Sequence, residues 1–309
     1  MLVNILLVVV GFVLLIKGAD FFVDGSSSLA SKLGIPSLII GLTIVAMGTS
    51  APEAAVSISA ALKGSTGIAI GNILGSNILN IWIILGVTAC ISQLKVGKTT
   101  IKYEIPYMIF ITVILSVIGL TVGNVSRVSG IVLWALFILY LGYLFYQSKH
   151  MENEEEGEIK DLSAIKIIIY IIGGMAAIIA GSNITVDGAT AIAEAIGVSD
   201  RVIGLTIVAL GTSLPELITS VTAAKKNQAD IAIGNIVGSN IFNILFVLGT
   251  ASIIHNIEYS AAFLLDSVIA IVSAVLLFLC VFKKEKLTKG SGILMVTCYA
   301  VYLVYMLIG

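Results

Sequence analysis

The hexapeptide Gly48-Thr49-Ser50-Ala51-Pro52-Glu53 and its near copy Gly211-Thr212-Ser213-Leu214-Pro215-Glu216 each lie inside a long apolar segment. Each puts a carboxylate where a bilayer tolerates none without compensation, since a charge at the centre of a membrane helix costs ~2–4 kcal/mol on insertion scales. Each also puts a proline, one of four in 309 residues, directly before that carboxylate. Proline has no N–H and pushes off the carbonyl four residues back, here Gly48 or Gly211. It also steers Ala51 or Leu214 away from helical angles. Two helices are therefore expected to stop and restart at mid-membrane, gathering freed carbonyls, hydroxyls and one carboxylate at each break. Unwound backbone at that depth is tolerated only where it lines a cavity or a site.

Composition agrees with immersion in lipid. The chain is 58% hydrophobic and 11% charged, against roughly 25% charged residues in soluble domains. Apolar segments fall at about 2–23, 37–62, 67–93, 102–122 and 127–147, and again at 164–186, 199–224, 230–255, 262–282 and 289–308. Between the two sets lies an acidic stretch with Glu152, Glu154, Glu155, Glu156, Glu158 and Asp161. The expected fold is an all-α membrane protein of ten transmembrane helices, with repeats at 1–147 and 164–309 joined by a linker at 148–163. Met1–Ile16 lacks a basic start and a small-residue cleavage site, so it reads as the first span. Cys90, Cys280 and Cys298, with His150 and His255, give no zinc spacing and no disulfide framework.

The halves are copies. Residues 40–53 match 203–216 at twelve of fourteen positions, and 68–81 match 231–244 at twelve of fourteen, both at an offset of 163. An odd number of spans per half requires the second half to lie inverted. The basic residues test this. With the N-terminus outside, the cytoplasmic loops hold thirteen of the seventeen Lys and Arg, and the outer loops hold only Lys63, Arg127 and Arg201. That is a strong positive-inside bias. It places both termini outside and the linker in the cytoplasm, in a multi-pass protein of the plasma membrane. Inverted repeats with broken helices mark secondary transporters, whose site lies near the midplane.

The groups expected at the breaks are hard oxygens: Glu53, Glu216, Thr49, Ser50, Thr212 and Ser213. Such a set suits Ca²⁺ or Na⁺. The second duplicated block, Gly71-Asn-Ile-Leu-Gly-Ser-Asn-Ile-Leu-Asn80 and Gly234-Asn-Ile-Val-Gly-Ser-Asn-Ile-Phe-Asn243, adds Ser76, Asn77, Asn80, Ser239, Asn240 and Asn243. Its glycine pairs, Gly71/Gly75 and Gly234/Gly238, are spaced for close helix contact. Two glutamates give an empty site of charge −2. One Ca²⁺, two Na⁺ or two protons neutralise it equally, and that competition is the physical basis of exchange. Asp24 and Asp187 are read as helix caps. Glu104 and Asp266 are read as membrane-edge residues facing water or a basic neighbour.

At these motifs the chain resembles the cation/calcium exchanger superfamily, and in particular its compact prokaryotic sodium/calcium exchangers. The resemblance implies carboxylate ligands at Glu53 and Glu216, hydroxyl ligands at Thr49, Ser50, Thr212 and Ser213, and carbonyl ligands at Ala46 and Ala209. It also implies second-block positions at Ser76, Asn80, Ser239 and Asn243, and sliding of segments 5–23 and 167–186 across the other helices. Potassium-dependent members carry an aspartate at the last second-block position of one repeat. Here both are asparagine, which argues against potassium co-transport. The expected function is Na⁺/Ca²⁺ antiport by alternating access, in a monomer with no cofactor and no nucleic-acid partner. Proton-driven Ca²⁺ antiport through the same glutamates is the alternative. A cation channel is weaker, because nothing forms a pore ring. An intramembrane enzyme is weaker still, because no protease or zinc pattern is present.

Overall fold

A computed structural model describes residues 1–150, 159–197, 207, 209–260 and 263–308. The first half contains α1 (Leu2–Leu33), α2 (Ser37–Thr49), α3 (Ala51–Leu62), α4 (Thr66–Ile91), α5 (Thr100–Val122) and α6 (Arg127–Ser148). The second contains α7 (Ala164–Ala195), α8 (Ala209–Thr212), α9 (Leu214–Lys225), α10 (Ala229–Ile254), α11 (Phe263–Phe282) and α12 (Lys289–Ile308). Among the described residues eight helices are long and apolar enough to cross a membrane. A ninth span arises if α2 and α3, bent by 51° at their junction, count as one. The expected span 199–224 begins outside the described residues.

Local chemistry sets the helix ends. Gly34 (φ 62°) and Gly123 (φ 74°) adopt the left-handed conformation that closes α1 and α5. The hydroxyls of Ser126 and Ser163 accept the first-turn amides of α6 and α7 from Ser129 and Lys166. Four two-residue strands depart from the all-helical expectation. β1 (Leu94–Lys95) pairs antiparallel with β4 (Lys286–Leu287), and β2 (Asn124–Val125) with β3 (Ile257–Glu258). Each ladder takes one strand from each half, and each buries an apolar pair (Leu94 with Leu287, Val125 with Ile257).

The centre is built from α4 and α10, whose most apolar windows are 78% and 94% buried, against 39% or less for the other six long helices. Outer helices present Leu, Ile, Val and Phe outwards, as on the lipid-side face of α1 (Leu2, Val3, Leu6, Val9, Val13). α1 and α7 form a tight antiparallel pair. A Cβ on Gly18 would lie 2.8 Å from the Gly174 carbonyl oxygen, and one on Gly11 would lie 2.8 Å from that of Gly181. Small residues let the two backbones touch.

Several expectations are corrected. α1 and α7 run about ten residues past their predicted ends, so Asp24 and Asp187 lie inside helices and cap nothing. The run Gly25-Ser26-Ser27-Ser28 reads as a loop by composition. It is helical nonetheless, with Ser26, Ser27 and Ser28 all buried in the packed molecule, and Ser27 donates back to the Asp24 carbonyl at 3.2 Å. The two glycine pairs diverge. A Cβ on Gly234 or Gly238 would lie 2.9 or 2.7 Å from the Leu38 or Leu42 carbonyl oxygen of α2, whereas a Cβ on Gly75 would meet nothing within 4 Å. Glu104 does not face water. It is buried and accepts a hydrogen bond from the Tyr143 hydroxyl. Asp266, by contrast, is partly exposed at a cavity and accepts a hydrogen bond from Tyr302 at 2.7 Å.

Candidate functional site

Both breaks occur where proline requires them. Ser50 (φ −82°, ψ 9°) separates α2 from α3, and Ser213 (φ −95°, ψ 6°) separates α8 from α9. The restarted helices carry Glu53 and Glu216 in their first turns, where the helix dipole favours negative charge. Both glutamates are fully buried. At the second break the Gly211 carbonyl accepts the Ser182 hydroxyl of α7 at 2.7 Å.

The halves exchange hydrogen bonds at the glutamates. Ser50 Oγ donates to Glu216 Oε1 at 2.8 Å, and Ser213 Oγ donates to Glu53 Oε1 at 3.2 Å. The backbone at each glutamate is pinned in the same way. Asn72 Nδ2 donates to the Glu53 carbonyl and to Ser57 Oγ, and Asn235 Nδ2 donates to the Glu216 carbonyl and to Ser220 Oγ. Thr49 Oγ1 donates to Asn235 Oδ1 at 2.9 Å. Among the described residues neither glutamate makes an ion pair.

A second reciprocal network joins α4 and α10. Asn77 Nδ2 donates to the Asn240 carbonyl at 3.2 Å, and Asn240 Nδ2 donates to the Asn77 carbonyl at 3.1 Å. A carbonyl only accepts, so each amide is fixed with its oxygen turned the other way. Those oxygens take the amide protons of Asn80 (2.9 Å) and Asn243 (3.1 Å). Asn80 and Asn243 must therefore present NH₂ to the network and Oδ1 away from it. Each opens a π-helical turn, 80–85 or 243–248, an irregularity frequent at functional sites. The turn at Asn80 packs on α9, which carries Glu216, and the turn at Asn243 packs on α3, which carries Glu53.

The outcome is four buried acceptor oxygens that receive no hydrogen bond: Glu53 Oε2, Glu216 Oε2, Asn80 Oδ1 and Asn243 Oδ1. They form two matched pairs at the offset of 163. A buried acceptor without a donor costs about 1–3 kcal/mol, and more when charged. Four held in matched positions are what a hard cation would satisfy. Asn80→Ala and Asn243→Ala are each expected to weaken Ca²⁺ binding roughly tenfold, on the ~1.4 kcal/mol equivalence; calcium titration of the purified variants measures this.

The other expected residues divide. Ser239 Oγ donates to the Ala46 carbonyl at 3.4 Å, bringing both to the centre. Ala209 opens α8. Ser76 and Thr212 instead line two cavities. One, of about 570 Å³, is bounded by Pro52, Val56, Ser182, Asp187, Gly211 and Thr212. The other, of about 320 Å³, is bounded by Asn72, Gly75, Ser76, Asp266, Tyr299 and Tyr302. Both lie towards the 62–66 connection. The sequence reading did not assign Asn72, Asn235, Ser57 and Ser220 to the site, although the same offset relates them in pairs.

A family model for sodium/calcium exchanger proteins matches residues 3–146 and 166–308. The chain belongs to the sodium/calcium exchanger family. This exchanger-family chain is 45% identical over 261 residues to CaxA of Alkalimonas amylolytica, with 82% of each chain aligned. It is 33% identical to sodium/calcium exchanger MaX1 of Methanosarcina acetivorans, with 98% of each covered. Among solved structures it superposes on the sodium-calcium exchanger NCX_Mj, soaked with Na⁺ and Sr²⁺, with a TM-score of 0.86, 34% identity and 98% of each chain covered. It is a multi-pass membrane protein, and its family places it among cation/Ca²⁺ antiporters rather than enzymes.

Proposed function

We propose that this antiporter exchanges Na⁺ for Ca²⁺ at one central site built on Glu53 and Glu216. The observation that carries the reading is the set of four buried oxygens without donors, two of them carboxylate and two amide. No basic side chain among the described residues compensates the glutamates. Ca²⁺ or two Na⁺ would neutralise the pair, and neither ion can be held in full while the other is. Ser50, Ser213 and Thr49 position the carboxylates and their supports. Ala46, Ala209, Thr212, Ser76 and Ser239 complete the oxygen lining as an ion passes. Hard oxygen donors in this number suit Ca²⁺ better than Mg²⁺, which dehydrates reluctantly.

Ten spans in two inverted halves, 1–147 and 164–309, with a cytoplasmic linker at 148–163, are the topology proposed with it. The antiparallel packing of α1 on α7 and the crossed strand pairing between halves support inversion. Alternating access is supported by unequal environments at equivalent positions. Gly75 and Ser76 line a cavity while Gly238 and Ser239 pack on α2. With both termini outside, an orientation supported by the distribution of basic residues, the two cavities open outwards; a monomer is proposed as the working unit.

Radioactive calcium uptake into proteoliposomes tests the coupling. One batch is loaded with Na⁺ and diluted into Na⁺-free buffer; a second has equal Na⁺ across the membrane and an acid interior. Uptake in the first batch alone is expected. Uptake in the second alone would recast both glutamates as proton carriers and overturn sodium coupling.

A further inference from the structure

At the end of the molecule away from the two cavities, Asp24 of α1 is buried between two lysines. Lys226 Nζ, one residue past the end of α9, lies 2.6 Å from Asp24 Oδ1 and 3.5 Å from Asp20 Oδ1. Lys160 Nζ lies 2.7 Å from Asp24 Oδ2. This cluster joins three bodies: the glycine-packed α1/α7 pair, the helix that carries Glu216, and the linker. The linker is tied further by Ser28, which donates to the Lys160 carbonyl at 2.6 Å.

The offset of 163 carries Asp24 onto Asp187 and Lys226 onto Lys63. Charge is kept at both positions, but the environments are opposite. Asp24 is 4% exposed. Asp187 is exposed and lines the 570 Å³ cavity, Lys63 is exposed just past α3, and among the described residues they form no ion pair. Asp187 stands on α7 and Lys63 on the helix that carries Glu53. The second set thus relates the paired helices to the core as the first does, at the other end.

We propose that Asp24–Lys226 and Asp187–Lys63 are alternate ionic latches, one closed in each access state. This rests on the alternating-access reading of the central site. When the α1/α7 pair shifts, Asp24 parts from Lys226, Asp187 meets Lys63, and the cavity beside Pro52 closes. The latches are unequal. Asp20 and Lys160 reinforce the first, whereas Asp20 becomes Asn183 in the second repeat. The extra charges favour the state with the Pro52 cavity open, and they make the linker part of the bias.

The test uses Val56→Cys, which lines that cavity and is 39% exposed, in a chain with Cys90, Cys280 and Cys298 replaced by Ser. Its maleimide labelling rate is read on purified protein in detergent, where sidedness plays no part. Lys226→Ala is expected to slow labelling, by up to roughly fivefold, the factor by which about 1 kcal/mol of lost bias changes the ratio of the two states. Lys63→Ala is expected not to slow it, and the double variant is expected to regain most of the original rate. Misfolding would not give this pattern. An unchanged rate in Lys226→Ala, or a slowed rate in Lys63→Ala, overturns the latches. Calcium uptake by the parent protein is measured in parallel. Uptake with no labelling response removes the latches and leaves the exchange reading standing. The expected labelling pattern without uptake under either gradient does the reverse.

Discussion

Glu53→Gln and Glu216→Gln are each expected to reduce sodium-driven calcium uptake by ~100-fold or more while leaving the protein folded and monodisperse. A unit charge ~4 Å from another, at an effective dielectric of about 20, contributes on the order of 4 kcal/mol, and a divalent ion feels twice that. Glutamine keeps the shape and an acceptor oxygen, and the hydroxyl donors Ser213 and Ser50 keep a partner in it. What disappears is half of the negative charge that a divalent ion must balance. Proteoliposome uptake and a thermal melt on the same preparation measure the effect. The melt is expected to be equal or higher, because an uncompensated buried carboxylate has been removed. Wild-type-like uptake in either variant removes that glutamate from the site.

The second large effect is expected between neighbours on one helix. A Cβ at Gly174 would lie 2.7 Å from both the Gly18 carbonyl oxygen and the Phe22 amide nitrogen; one at Gly173 would meet nothing within 4 Å. Gly174→Ala forces α1 and α7 apart. Overpacking of this kind costs ~1–3 kcal/mol, so Tm falls, and transport falls at least tenfold because the pair no longer moves as one body. Gly173→Ala is silent or slightly stabilising, since alanine exceeds glycine in helix propensity by about 1 kcal/mol. Comparable losses of Tm and transport in both variants would show that the contact does not hold the pair together.

Legibility followed the range of each interaction. The breaks at Ser50 and Ser213 could be read from the chain because proline acts on its own backbone, over four residues. The candidate glutamates could be read because a charge in an apolar segment is conspicuous whatever surrounds it. Asn72 and Asn235 were passed over because their task, holding the carbonyls at Glu53 and Glu216, is visible only once α4 packs on α3 and α10 on α9. Asp24 was misread as a cap for a related reason. Its helix continues through a Gly-Ser run that is buried in the packed molecule and bonded to the linker through Ser28.

By itself the sequence determined that the chain is helical and apolar, that it is duplicated at an offset of 163, and that each copy sets one carboxylate behind a helix-breaking proline. Those are properties of spacing, backbone chemistry and transfer free energy, and they need no neighbour. Only the tertiary structure decided how near-identical copies differ: Gly75 beside a cavity and Gly238 against a backbone, Asp187 exposed and Asp24 held between lysines. Two copies of one sequence have one set of local preferences. The difference between them comes from how the α1/α7 pair seats on the rest of the molecule, a choice made by packing among many residues at once.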